Sequence, residues 1–245
     1  MNDTIRLLQS HRSIRKFTRE LVTDEMVESI ISSGTSAATS SNLQGTTVIR
    51  VRKPETRDAI AILAGGQSYV STAAAFFVWC ADLHRSATAC KMGGGELCAG
   101  MTEHFMIATI DVALAAQNAV VAAESLGLGI CYIGGIRNDP QQVADLLQLP
   151  DQAYPVFGMC IGWPDQDPAR KPRLPSAVTL KEEVYDDPDD RQQIAKYDEQ
   201  MREYYRLRTG GKLDRVWSED MSALLGKESR PHMRQFLADR GFTMR

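Results

Sequence analysis

The chain has 245 residues, 43% of them hydrophobic, with 28 basic and 31 acidic residues and a formal net charge of -3. That is enough apolar material for a large globular core, and the interspersed, slightly acidic charge argues against the strongly basic face of a nucleic-acid-binding protein. Five scattered cysteines without a Cys-x-x-Cys pair argue against a disulfide framework or zinc cage and point to reduced thiols in the cytoplasm.

Met1 to Ser10 holds no long apolar run, so no secretory signal is expected. The cluster His11-Arg12-Ser13-Ile14-Arg15 follows, and Lys171-Pro172-Arg173 stands far downstream. Guanidinium and ammonium groups beside hydrogen-bonding neighbours suit a phosphate anion, and a fold that joins the two clusters makes one pocket. The first cluster alone also reads as a solvated face.

Thr23 before Asp24 and Glu25 predicts a capped helix running to about Gly34, and Thr46 to Val51 a strand. Pro54 opens a helix through about Leu63. Ala75 to Ala81 is a strand too apolar for a surface and is expected to be buried on both faces. Phe105 to Leu126 is nearly long and apolar enough to span a bilayer, yet His104, Asp111, Asn118 and Ser125 recur every seven residues. On a helix that spacing draws one narrow polar stripe. Ended by Gly127, the segment belongs inside a large core or between subunits.

Ile130 to Ile133 is a short strand ending in Gly134-Gly135, Gln141 to Leu147 a helix, and Val156 to Gly162 another buried strand, with helices expected on both sides of the sheet. Pro164 to Pro175 contains four prolines and reads as an ordered loop. From about Asp189 a charged, amphipathic helical arm carries Tyr197, Met201, Tyr204 and Tyr205 at three- and four-residue intervals. Trp217 to Leu225 and Pro231 to Leu237 add shorter helices.

There is no Gly-x-Gly-x-x-Gly after a strand, no P-loop and no Gly-x-Ser-x-Gly elbow, and Met92-Gly93-Gly94-Gly95-Glu96 reads as a flexible loop. The four histidines show no metal-binding helical spacing. What remains suits a phosphate-bearing planar cofactor. Arg12, Ser13 and Arg15 donate to phosphate, Thr39, Ser40 and Ser41 offer hydroxyls, Gln67 after Gly65-Gly66 an amide. Gly134-Gly135 allows a flat ring close to the backbone. Singly, each also reads as an ordinary turn.

In this order the residues resemble the oxygen-insensitive NADPH nitroreductase and NADPH:FMN oxidoreductase (flavin reductase) family. The matching words are His11-Arg12-Ser13-Ile14-Arg15-Lys16-Phe17, Gly65-Gly66-Gln67, Ala116-Gln117-Asn118-Ala119, Ala122 to Gly129, Tyr132-Ile133-Gly134-Gly135 and Lys171-Pro172-Arg173-Leu174-Pro175. Tyr197-Asp198-Glu199-Gln200, Tyr204-Tyr205 and Lys227-Glu228-Ser229-Arg230-Pro231 continue the match across essentially the whole chain.

The resemblance implies an α+β fold with a central antiparallel or mixed sheet sandwiched by helices. It implies a single domain over 1–245 with a C-terminal arm from 176 to 245 packing on the core or a partner subunit, and an intertwined homodimer with the long helix at its interface. It also implies one non-covalent FMN per subunit contacted by His11, Arg12, Ser13, Arg15, Thr39, Ser40, Ser41, Gln67, Tyr132, Ile133, Gly134, Gly135, Lys171 and Arg173. NADPH as hydride donor and nitro compounds, quinones or flavins as acceptors then alternate at one place in a ping-pong cycle, with no acid or base side chain strictly required. Membrane and nucleic acid are not among the expected partners. Arg208 aligns with a pyridine-nucleotide-binding arginine, with Arg206, Lys212 and Arg215 expected to form a mobile basic loop around Gly210-Gly211. Glu103 and Arg230 are expected at the pocket rim, where a surface ion pair is the other reading.

Two departures stand out. Successive arginines of relatives are replaced by Lys212-Leu213-Asp214-Arg215, which bears on NADPH preference, and Asn42 stands where relatives can have Phe beside the flavin. A flavin reductase that releases reduced FMN, a chromate or quinone reductase, and a non-enzymatic flavin-binding protein remain alternative readings.

Overall fold

The computed structural model describes residues 2–245. In chain order its elements are α1 (Asp3–Ser10), α2 (Asp24–Thr35), β1 (Thr46–Arg50), α3 (Pro54–Leu63), α4 (Tyr69–Thr72), β2 (Ala75–Asp82), α5 (His84–Met92) and α6 (Thr102–Ser125). There follow β3 (Gly129–Ile133), α7 (Pro140–Leu146), β4 (Ala153–Gly162), α8 (Ser176–Thr179), α9 (Asp190–Thr209), α10 (Trp217–Leu225) and α11 (Met233–Asp239). Most starts have the local cause read from the sequence. The Thr23 hydroxyl accepts the Met26 N–H at 3.2 Å, and Pro54 opens α3. The last helix begins at Met233 rather than Pro231. Neither α1 nor α5 buries a residue.

Two compact units are present, residues 1–167 with 232–245, and residues 168–231. The first contains a wholly antiparallel sheet of order β1-β2-β4-β3. Every residue of β2 is buried, as a strand covered on both faces requires. Phe77, Trp79 and Ala81 face a core shared with α2 and α6, while Phe76, Val78 and Cys80 face one shared with α3, α4 and α7. Truncating Trp79 or Phe76 to Ala would cost about 3–5 kcal/mol.

In β4, Tyr154 and Val156 share a core with Met159 and Ile161, so the alternation changes parity along the strand. The register explains it. Trp79 pairs with Phe157 and Cys80 with Pro155, leaving Val156 as the extra residue of a bulge. Such a bulge lets Pro155, which lacks an N–H, lie within an interior strand.

The open edge of β3 is covered by the N-terminal basic segment. Ser13 bridges Ile130 in parallel, and the Ile14 N–H donates to the Ile130 carbonyl at 2.8 Å. A Cβ at Gly129 would lie 2.5 Å from Ile14 Cγ1, so only glycine admits this approach. The helix α6 is long and apolar enough to cross a membrane by composition alone, and eight of its residues are buried, most of them alanines and valines of the sheet core.

Its expected polar stripe does not face one environment. Asp111 is buried and His104 half-buried, while Asn118 and Ser125 are exposed. The loop before β1 covers the middle of the helix but not its end, so equal spacing does not give equal burial.

The second unit is built around α9. Tyr197 and Met201 are buried, the Tyr197 ring meets Trp217 edge-on at 5.8 Å, and its hydroxyl donates to the Pro172 carbonyl at 2.9 Å. The helix ends at Gly210 in the left-handed conformation, φ 60°. The loop from 168 to 175 has no regular structure, as its prolines predict.

Candidate functional site

The edge pairing of Ser13 and Ile14 with β3 carries Arg15 along the strand to the neighbourhood of Cys131. There the Arg15 guanidinium lies near enough to the Tyr69 hydroxyl to act on its charge, and that hydroxyl donates to Gln67 Oε1 at 2.7 Å. The amide of Gln67 donates to the Ala64 carbonyl at 3.0 Å. Burial pushes the Tyr69 hydroxyl pKa above its usual value, with the guanidinium pulling the other way, so the tyrosine remains a neutral donor.

Gly135 lies directly against this relay, and Gly134 against Arg137. A Cβ on Gly135 would stand 2.4 Å from the Ala64 carbonyl oxygen and 2.9 Å from Gln67 Nε2. One on Gly134 would stand 3.2 Å from the Arg137 guanidinium, which donates to the bulge carbonyl of Val156 at 2.6 Å. Neither glycine has a left-handed φ, so space rather than conformation demands them. The result is a Cβ-free stretch of backbone flanked by the Arg137 guanidinium and the Gln67 amide, a donor set that fits the polar edge of a flavin ring.

Other predicted residues of this unit lie nearby or apart. His11 Nδ1 lies 2.6 Å from Glu124 Oε1, near the end of α6. Arg12 pairs with Asp167. Tyr132 points into the α6 core, edge-on to Phe157 at 5.0 Å, its hydroxyl pKa raised by burial and by Glu124. Ile133 is fully buried on the opposite face.

Thr39, Ser40, Ser41 and Asn42 form a separate turn held by the Asp111 carboxylate, with the last three residues exposed. Asp111 and Glu124 are 13 residues apart, about 20 Å along α6 at ~1.5 Å per residue. A single chain therefore separates the serine turn from the His11 end of the basic segment. Glu103 is exposed in the first turn of α6, where its charge favours the helix N-terminus.

Within the second unit, Lys171 Nζ lies 5.6 Å from the Tyr205 ring centre, and Arg173 donates to the Lys171 carbonyl at 3.0 Å. Arg208 lies over the Tyr204 ring, 5.9 Å from its centre, and donates to its hydroxyl at 3.3 Å. The expected mobile basic loop is instead paired with acids. Arg206 meets Asp214 at 2.7 Å, Arg202 meets it at 3.0 Å, and Arg215 pairs with Asp220. Lys212 is exposed, and Arg230 is half-buried with φ 51°.

Four residues were missed in the sequence. Tyr69, Arg137, Glu124 and Asp111 each act on partners that only folding supplies. For Tyr69 a signal existed, its position two residues after Gln67.

Comparison with known proteins gives the family of the chain. Residues 8–163 match the nitroreductase family model and residues 171–245 the model of the nitroreductase family C-terminal domain. The chain belongs to the nitroreductase family. It is 43% identical over 245 residues to the oxygen-insensitive NADPH nitroreductase of Salmonella typhimurium, covering 100% of both chains. Identity to the FMN reductase (NADPH) of Bacillus subtilis is 41%, over 99% of each chain. The solved NADPH:FMN oxidoreductase of Vibrio harveyi, complexed with NAD+, superposes with a TM-score of 0.90 at 42% identity, over 98% of each chain. An α+β fold of this family was the expectation from sequence, and both the sheet and the likeness bear it out.

Proposed function

We propose that this protein is an FMN-dependent oxidoreductase that takes a hydride from NADPH and passes two electrons to nitro compounds and related acceptors such as quinones and flavins. The observation that carries the reading is the Gly134–Gly135 cradle edged by Arg15, Tyr69 and Gln67. When bound there, FMN supplies the hydride-accepting and electron-donating chemistry.

The chain's own groups position and stabilise. Arg15 lies beside Tyr69, where a cation favours an anionic ring edge. Gln67, oriented at both ends by Tyr69 and Ala64, offers hydrogen bonds in one plane. His11, Arg12, Ser13, Thr39, Ser40, Ser41, Lys171 and Arg173 complete the FMN contacts, with the basic members on the phosphate. The exposed Arg208, stacked on Tyr204, is assigned to the pyridine nucleotide, with Lys212 and Arg215 beside it. Asn42, Glu103 and Arg230 are assigned to the acceptor. No acid or base side chain is assigned to catalysis, because stacking in near-attack geometry supplies the rate.

The working unit is a homodimer. Along α6, Met106, Ile110 and Leu114 are 48%, 51% and 43% exposed on one face, an apolar stripe that a second copy would cover. A second copy would also bring its serine turn to a cradle that a single chain leaves without one. The five free thiols fit a reducing compartment, the cytoplasm.

The test is the purified protein itself. It should be yellow, elute as a dimer, and lose its flavin absorption on anaerobic addition of NADPH, with nitrofurazone restoring it. A colourless protein that does not take up added FMN would overturn the reading, and bound flavin that NADPH leaves oxidised would mark a flavin-binding protein without this activity. Turnover on nitrofurazone, free FMN, quinone and chromate ranks the acceptors.

A further inference from the structure

The middle of α6 carries a carboxylate that the assignments above do not use. Asp111 is 1% exposed, and Ala108, Val112 and Ala115 around it belong to the core. Its two oxygens accept backbone N–H groups, from Ser40 at 3.3 Å and from Gly45 at 3.0 Å. Between these points Ser41, Asn42 and Gln44 have φ of 50°, 57° and 55°. Residues with side chains rarely adopt that left-handed backbone, and it persists where the surroundings over-determine it.

The surroundings here do so. Arg85 donates to the Gln44 carbonyl at 3.1 Å. Gly45 lies so close to α6 that a Cβ would stand 2.9 Å from Leu43 Cδ2 and 3.1 Å from the Ala108 Cα. A buried carboxylate is costly beside an apolar residue of the same size. Its one evident contribution is to clamp both ends of this turn.

We propose that Asp111 is a positioning residue of the flavin site, holding the strained Ser40–Gly45 turn so that the Ser40 and Ser41 hydroxyls and the Asn42 amide are presented in one fixed arrangement. The inference rests on the reading that this turn contacts FMN and the acceptor. Asp111→Asn keeps the size but turns an NH2 group toward one of the two N–H donors, releasing one end of the turn.

The experiment compares the wild-type holoenzyme with Asp111→Asn, with the double variant Ser40→Ala/Ser41→Ala, and with Thr109→Val, a control that removes a different hydrogen bond, to Tyr154, from the same helix. Each is assayed for far-ultraviolet circular dichroism, for FMN dissociation by fluorescence on dilution, and for kcat and KM separately with nitrofurazone. A folded Asp111→Asn protein should release FMN with a dissociation constant raised about tenfold, and at saturating FMN should keep a raised nitrofurazone KM. Thr109→Val should change neither. Wild-type FMN retention and KM in folded Asp111→Asn, with the serine variant impaired, overturns the role of Asp111 alone. If the serine variant is also unimpaired, the placement of the turn at the flavin fails instead, and the inference falls with it. Should Asp111→Asn not fold, Gly45→Ala decides by pushing the same N–H away from the carboxylate. Weakened FMN retention there supports the clamp, and unchanged retention refutes it.

Discussion

The two glycines of the cradle are expected to fail differently when a methyl group is added. In Gly135→Ala the new Cβ would stand 2.4 Å from the Ala64 carbonyl oxygen, whereas ordinary contact begins at 3.4 Å. Backbone must therefore move by about 1 Å, and overpacking of that kind costs about 1–3 kcal/mol. For a chain of this length each kcal/mol lowers the melting temperature by about 2–4 °C, so a fall of about 2–12 °C is expected. In Gly134→Ala the nearest atom is the flexible end of Arg137 at 3.2 Å. Stability should stay within about 0.5 kcal/mol, but under the proposed placement of FMN the methyl and the displaced Arg137 crowd the ring, and FMN affinity should fall at least ~10-fold, about 1.4 kcal/mol. Scanning calorimetry with excess FMN reads the first effect, and flavin fluorescence on dilution reads the second. A Gly135→Ala protein melting with the wild type, or a Gly134→Ala protein holding FMN as tightly, would refute the steric account of the cradle.

Arg15→Ala or Lys171→Ala should weaken FMN retention, whereas Arg208→Ala should raise the NADPH KM with FMN still bound; equal FMN loss in all three contradicts that division. Asp214 occupies Arg206 and Arg202, so Asp214→Asn should free cations for the nucleotide and lower the NADPH KM by about 1.4–5-fold, the worth of exposed ion pairs; a raised KM would count against it. Cys80, Cys131 and Cys160 are buried with thiol pKa values raised by burial, so a thiol reagent at neutral pH should modify only Cys90 and Cys98 in the native protein and all five in denaturant. The Cys80 thiol is pushed up to about 12 from 9.0, so its contribution to stability is full below pH 9 and is lost as the pH rises toward 12. The melting temperature should accordingly decline above pH 9, less steeply in Cys80→Ala; a flat profile there contradicts the assignment.

Elements whose cause is local were legible in the chain. Thr23, Pro54 and Gly210 act within a few residues of themselves, and the apolar run of β2 can only be a strand covered on both faces. The ordered family words, from His11-Arg12-Ser13 to Lys171-Pro172-Arg173, likewise carry the FMN reading without a structure. What folding decided involves partners far apart in sequence. Arg15 meets Tyr69, His11 meets Glu124, and Asp111 meets Gly45, and no local spacing encodes which of these pairs will form. The heptad of His104, Asp111, Asn118 and Ser125 shows the limit most plainly. Spacing set a common helix face, but burial depends on what another segment lays over it, and only the loop before β1 turned Asp111 from a surface residue into a clamp. The same holds for the basic loop near Gly210, where charge was readable from the residues but its neutralisation by Asp214 and Asp220 was a property of the folded unit.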